Sequence, residues 1–149
     1  MGVFEKAIVD RERIVELIPQ RSPFIFVDSF YGEEGGEFCC GFTPNDRTLF
    51  TKMGYLYEAG IVENMAQSAA ASTGWSCRER GESIPVGYIG AVSDFELYKL
   101  PVAGIEIKTF VRFCGEFGGI SLVETESRQG DDLIAKGKLK IFINENSVK

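Results

Sequence analysis

The sequence predicts an α+β fold in which one long helix packs on one face of an antiparallel sheet. Three observations carry this. Residues 55 to about 80 hold the alanine-rich run Ala66, Ala69, Ala70 and Ala71, with no proline until Pro85. Beyond residue 105 the hydrophobic period changes to two, the period of a half-buried strand. The strand candidates then follow one another through short turns, which implies antiparallel pairing with one buried face. At 149 residues, 44% hydrophobic and 26% charged, the chain is expected to form a single domain over 1–149.

The elements read in order as follows. Asp10 to Ile18 predicts a short helix, with Asp10 as its cap, Ile14, Leu17 and Ile18 as an i, i+3, i+4 apolar face, and Pro19 as its end. Pro23 to Asp28 reads as a strand entering the core, and Gly36 to Phe42 as its hairpin partner. The long helix follows. Gly81 is its predicted stop, after Arg78 and Arg80, which suit the negative end of the helix dipole. Its small side chains allow other backbones to approach closely, as a helix wrapped by a curved sheet requires. Ile105, Ile107, Thr109, Val111 and Phe113 alternate with Glu106, Lys108, Phe110 and Arg112. Leu133, Ala135, Gly137, Leu139, Ile141 and Ile143 alternate with Ile134, Lys136, Lys138, Lys140 and Phe142. Gly119 to Ser127 is the strand between them, and Gln129 to Asp132 the turn.

Composition narrows the function. A net charge of −6 without a basic run argues against nucleic acid as a partner, since a phosphate backbone needs a basic face. The first thirteen residues are broken by Glu5, Lys6, Asp10, Arg11 and Glu12, unlike a signal peptide. No apolar run approaches the roughly 18 residues a membrane span requires. A cytoplasmic location without membrane attachment is therefore expected. Cys39 and Cys40 are adjacent, Cys77 and Cys114 stand alone, and no CxxC or histidine completes a zinc site. Reduced thiols, no metal and no cofactor are the expectation.

With no histidine in the chain, any chemistry it performs alone runs through a carboxylate, and Glu63 is the best candidate. Its helical neighbours are Ala59, Ala66, Gln67 and Ala70, a small and mostly apolar face with one amide in reach. Burial there would disfavour the charged form, which suits a general acid or base near neutral pH. On the residues alone a solvated Glu63 is the commoner outcome for a helix glutamate. Gln67 reads first as a helix–sheet hydrogen bonder that could also orient Glu63. Gly87 and Gly90 mark a simple strand kink, a bulge or a close backbone approach to a ligand. The row Lys136, Lys138 and Lys140 is a solvated strand face or a seat for an acidic partner.

Two motifs shift the weight toward Glu63. Leu17-Ile18-Pro19-Gln20-Arg21-Ser22-Pro23-Phe24-Ile25-Phe26-Val27-Asp28 resembles the leucine-proline-histidine-arginine-x-proline-phenylalanine-leucine-leucine-valine-aspartate signature of bacterial 3-hydroxyacyl-acyl-carrier-protein dehydratases. Glu63-Asn64-Met65-Ala66-Gln67 resembles their glutamate-alanine-methionine-alanine-glutamine helix motif, and Lys99 to Gly104 their later proline-glycine turn. The resemblance covers most of the chain. It implies the hotdog fold, a long central helix wrapped by a five- to six-stranded antiparallel sheet, with two chains paired side by side as a homodimer or a heterodimer with another hotdog subunit.

The resemblance also exposes a gap. The family's dehydratases pair the helix glutamate with a histidine from a glycine-histidine-phenylalanine-proline-glycine loop across the dimer interface. Here that position is Leu49, and of the loop pattern only Phe50 survives. Gln20 stands where the first signature has its histidine. Tyr55 and Tyr57 lie close by, but phenols are poor bases near neutrality. The chain is similar to the dehydratase-like hotdog proteins of aryl-polyene and related pigment clusters, which lack the same loop, and this similarity implies a second, histidine-bearing subunit.

Three functions stay open on these grounds. The first is a dehydratase-like lyase subunit of fatty-acid or polyene biosynthesis, acting on acyl carrier protein or acyl-CoA thioesters with Glu63 as catalytic residue and Gln67 in support. Phe50, Tyr57 and Gly90 are its candidate substrate contacts. The second is a hotdog thioesterase in which Glu63 activates water or attacks the thioester while helix-start amides bind the oxyanion. The third is a non-catalytic acyl-binding protein.

Overall fold

The computed structural model describes residues 3–144. Strand β1 (Ser29–Glu34) and strand β2 (Glu37–Phe42) form a hairpin through Gly35 and Gly36. A two-residue pair, β3 (Thr51–Lys52) and β4 (Tyr55–Leu56), precedes helix α1 (Glu58–Glu79). Strands β5 (Val86–Leu97), β6 (Ile107–Phe117), β7 (Ile120–Gln129) and β8 (Asp132–Asn144) follow. Six strands build one antiparallel sheet in the order β1-β2-β6-β7-β8-β5. One helix against such a sheet is the α+β architecture the sequence predicts.

The alternation in β6 and β8 assigns the faces as expected except at their starts, where Ile105 precedes the strand and is exposed and Ile134, placed on the outer face, is fully buried. Ile107, Thr109 and Val111 are buried and alternate with more exposed neighbours, as do Ala135, Gly137, Leu139 and Ile141 with three exposed lysines. These inward residues meet Ile61, Met65 and Ala69 of α1 in the main core. A second core lies on another side of the helix, where Ile14, Leu17, Ile18 and Val27 of the N-terminal segment pack with Ala71 of α1 and with Phe30 and Cys40 of the first hairpin. The helix is thus held between sheet and N-terminal segment, which accounts for its small residues. A Cβ on Gly74 would stand 2.5 Å from the carbonyl oxygen of Leu17, so the two backbones meet without a side chain between them. The helix ends where predicted: Gly81 takes the left-handed conformation, and the Glu82 N–H donates to the Cys77 carbonyl at 2.8 Å.

Three expectations need correction. The predicted helix over 10–18 is a single 3-10 turn, Ile14–Glu16. Asp10 is not its cap: the N-cap is Arg13, without a side-chain cap, and the Asp10 carboxylate instead accepts the Arg13 N–H at 3.2 Å in the loop before it, while Pro19 leaves too little chain to propagate a helix. Residues 23–28 are not a strand. The Phe24 carbonyl and both backbone groups of Phe26 are taken by side chains of α1, the Asp28 N–H reaches the Gly41 carbonyl, and strand pairing begins only at Ser29, so the partner of 37–42 is 29–34. The helix begins at Glu58, because Tyr55 and Leu56 are spent on pairing with Lys52 and Thr51.

The edges of the sheet differ. A bridge between Val9 and Phe30 lays the N-terminal segment along β1. Strand β5 pairs only with β8, so among the described residues its other edge is open. Its register slips at Ile89/Ala91 and Ser93/Glu96, with Asp94 at positive φ. Such bulges twist an edge and are one device for keeping it from indiscriminate pairing.

A candidate active site along the central helix

At helical spacing Glu63, Ala66, Ala70 and Thr73 form one stripe of α1. The stripe is one wall of a cavity of about 320 Å³. Facing it are Gly87 and Ile89 of β5, Phe113 of β6, Ser121 of β7 and Ile141 of β8, while Gln20 comes in from the N-terminal segment. The volume lies in the range of ordinary small-molecule sites. Glu63 is half-buried, neither sealed in the core nor free in solvent.

The Glu63 carboxylate is held by its own helix. Gln67 Nε2 donates to Glu63 Oε2 at 3.2 Å and to the Phe24 carbonyl at 3.0 Å, while Gln67 Oε1 accepts the Phe26 N–H at 2.6 Å. One buried amide therefore ties the 24–26 backbone to the helix and steers the acid. Asn64, which the sequence reading did not single out, completes the clamp. Its Nδ2 donates to the Phe26 carbonyl at 2.8 Å and its Oδ1 accepts from Thr109 Oγ1 at 2.5 Å, and that hydroxyl lies 2.7 Å from Ser127 Oγ. The only sequence cue to Asn64 is its polarity on a helix face beside Met65. The extended segment 23–28 thus owes its shape to two side chains about forty residues later in the chain.

The remaining candidates fall outside this cavity's lining. Phe50, at φ 64, stacks on Phe26 with ring centroids 5.8 Å apart, and its carbonyl accepts the Tyr57 N–H at 2.9 Å. Tyr57 is the residue before the first turn of α1, partly exposed and without a side-chain cap. Both lie at the start of the helix, and Phe50 reaches the Gln67 amide through Phe26. Gly90 occupies the first bulge of β5, and the Phe142 ring fills the space its Cβ would take. Of the two glycines flagged in that strand, Gly87 lines the cavity.

A second carboxyl competes for attention. Asp28 is buried beside a larger cavity of about 430 Å³ that also takes in Arg11, Ser22, Pro23 and Arg47. Burial raises its titration above 3.8, against the opposing pull of its hydrogen bonds and of Arg11. Both oxygens are occupied, Oδ1 by Ser29 Oγ at 3.0 Å and Oδ2 by the Thr43 N–H at 2.9 Å. Asp28 therefore joins the start of β1 to the end of β2, while Glu63 lines the cavity along the helix. The lysine row is partly neutralised, Lys136 by Glu126 at 3.7 Å and Lys138 by Asp94 at 3.6 Å. Burial pushes the Cys39 thiol up and that of Cys40 to about 12, so both remain protonated packing groups.

The comparisons with known proteins bear on family and fold. A family model described as ApeP-like, ApeP dehydratase, matches residues 12–148. No curated protein matches the sequence. Among solved structures, the dehydratase heterocomplex ApeI:P from Xenorhabdus doucetiae superposes with a TM-score of 0.80 at 15% identity, over 91% of this chain and 93% of that one. Cj0977, a sigma28-regulated virulence protein from Campylobacter jejuni, gives 0.67 at 11% identity, over 89% and 95%. The smu.793 protein of Streptococcus mutans, bound to acetyl CoA, gives 0.59 at 14% identity, over 77% and 86%. At these identities the likeness is one of fold, and that fold is the hotdog.

Proposed function

The chain belongs to the ApeP-like family of dehydratases, and from that premise we propose that it is the acid-bearing subunit of a two-chain dehydratase acting on 3-hydroxyacyl thioesters. The carrier is acyl carrier protein or coenzyme A, and the route is fatty-acid or polyene biosynthesis. The observation that carries this reading is a carboxylate, Glu63, steered by Gln67 into a largely apolar cavity in a chain that contains no histidine.

The chemistry requires two groups. A base takes the proton from the carbon beside the thioester carbonyl, and the electrons of that C–H bond become the new C=C bond. The C–O bond to the 3-hydroxyl breaks as that oxygen receives a proton from Glu63, and water leaves. Histidine suits the base because it titrates near neutrality. Here it must come from another chain. Gly87 and Ile89 belong to the open edge strand and also line the Glu63 cavity. A hotdog subunit added along β5 would therefore sit next to the acid. That a relative of this fold is a dehydratase heterocomplex supports the same arrangement.

The test is reconstitution. Alone, the purified chain should show almost no formation of 2-enoyl thioester, and adding the cognate histidine-bearing hotdog subunit should restore turnover. Full dehydration by the isolated chain would refute the two-chain reading. Release of free thiol without alkene formation would favour a thioesterase instead.

A further inference from the structure

Gln20 shares the cavity with Glu63, and its side-chain oxygen, Oε1, is buried without a hydrogen-bond partner. Its backbone is fixed: Arg21 Nη1 donates to the Gln20 carbonyl at 2.7 Å and to the Ile18 carbonyl at 2.8 Å, and Ile18 is anchored in the second core. The backbone on either side is thus fixed, so only rotation of the part-buried Gln20 side chain can present Oε1 to the cavity. A buried acceptor left unmatched is unfavourable and rare, and at a site it marks where a donor is meant to arrive.

We propose that Gln20 recognises the 3-hydroxyl of the substrate, by accepting its hydrogen while the same oxygen faces Glu63. The inference rests on the hydroxyacyl reading above and deepens it. A hydroxyl has one hydrogen to give and lone pairs to receive. The proton from Glu63 goes to a lone pair, and the hydroxyl's own hydrogen points to Gln20 Oε1. The leaving water keeps that hydrogen, so Gln20 binds substrate oxygen and product water alike and undergoes no bond change. An acyl chain lacking the hydroxyl leaves Oε1 unmatched. The site thereby selects the hydroxylated substrate over the saturated chain that differs from it by one oxygen.

The experiment uses paired thioether analogues of pantetheine, one bearing a 3-hydroxyacyl-like chain and one the matched chain without the hydroxyl. Replacing the carbonyl by CH₂ removes the acidic proton, so neither turns over. Binding is measured calorimetrically to the reconstituted complex. The unmodified protein should bind the hydroxylated analogue roughly 2- to 10-fold more tightly, the range of one net hydrogen bond. Gln20→Leu should abolish the preference, because the hydroxyl then loses the acceptor for its hydrogen and faces Glu63 alone, while binding of the plain chain is maintained. Gln20→Met, close in size and flexible, should do the same and guards against a packing defect in the leucine variant. A preference unchanged in both variants overturns the assignment while leaving acyl binding intact. Failure of the hydroxylated analogue to bind the unmodified complex overturns the hydroxyacyl reading itself.

Discussion

Replacing Gln67 by leucine removes the amide that joins helix, N-terminal segment and acid, without changing side-chain size much. Gln67 is 1% exposed, and the Phe26 N–H that it accepts is buried with it, so that donor is stranded without water to replace the lost partner. The Phe24 carbonyl is only part-buried and regains solvent more easily. One stranded buried donor costs about 1–3 kcal/mol and the second lost bond about 0.5–1.5 kcal/mol, giving an expected loss of about 2–4 kcal/mol. For a chain of this length that lowers the melting temperature by roughly 6–12 °C. Urea denaturation followed by circular dichroism measures it, and the midpoint should fall with the slope unchanged. Gln67→Glu retains an acceptor for the Phe26 N–H but loses both donated bonds and faces Glu63 with like charge. It too should destabilise, with a loss that shrinks on acidification. A leucine variant within about 0.5 kcal/mol of the unmodified protein, as for an ordinary surface change, would refute the clamp.

Two further predictions concern the frame around the site. Gly74→Ala should destabilise by about 1–2 kcal/mol in urea denaturation although alanine is the better helix former by about 1 kcal/mol, because the new methyl meets the Leu17 backbone; a stabilised variant would contradict the close approach. Asp28 holds its proton more tightly folded than unfolded, so as pH rises from 3.8 through its raised folded value this residue's contribution to stability should decline. Asp28→Asn should remove that decline, and a stability–pH curve parallel to the unmodified protein's over this window would refute it.

Much of this was legible locally. The alanine-rich helix, the period-two strands and the turn from Gln129 to Asp132 are short-range patterns, and they lie where the sequence places them. So is the pairing of Glu63 with Gln67, which needs only one helical turn. What the sequence hid is non-local. Residues 23–28 have strand-like composition, yet Gln67 and Asn64 claim the Phe24 carbonyl and both backbone groups of Phe26. Strand β5 escapes a periodicity reading because two bulges break its alternation. The far wall of the cavity, Phe113, Ser121 and Ile141, comes from three strands whose convergence no window of sequence contains. Gln20 stood out only as a departure from the dehydratase signature, and its unmatched oxygen became visible only beside Glu63.

The measurement that bears most directly on the central claim is the rate of alkene formation by the reconstituted complex carrying Glu63→Gln. Glutamine keeps the shape and a partner for Gln67 but has no proton to give, so loss of one general acid predicts a fall of about 10²- to 10⁴-fold with assembly intact. Unchanged turnover would contradict the account, since Glu63 would then be only a polar residue lining an acyl cavity.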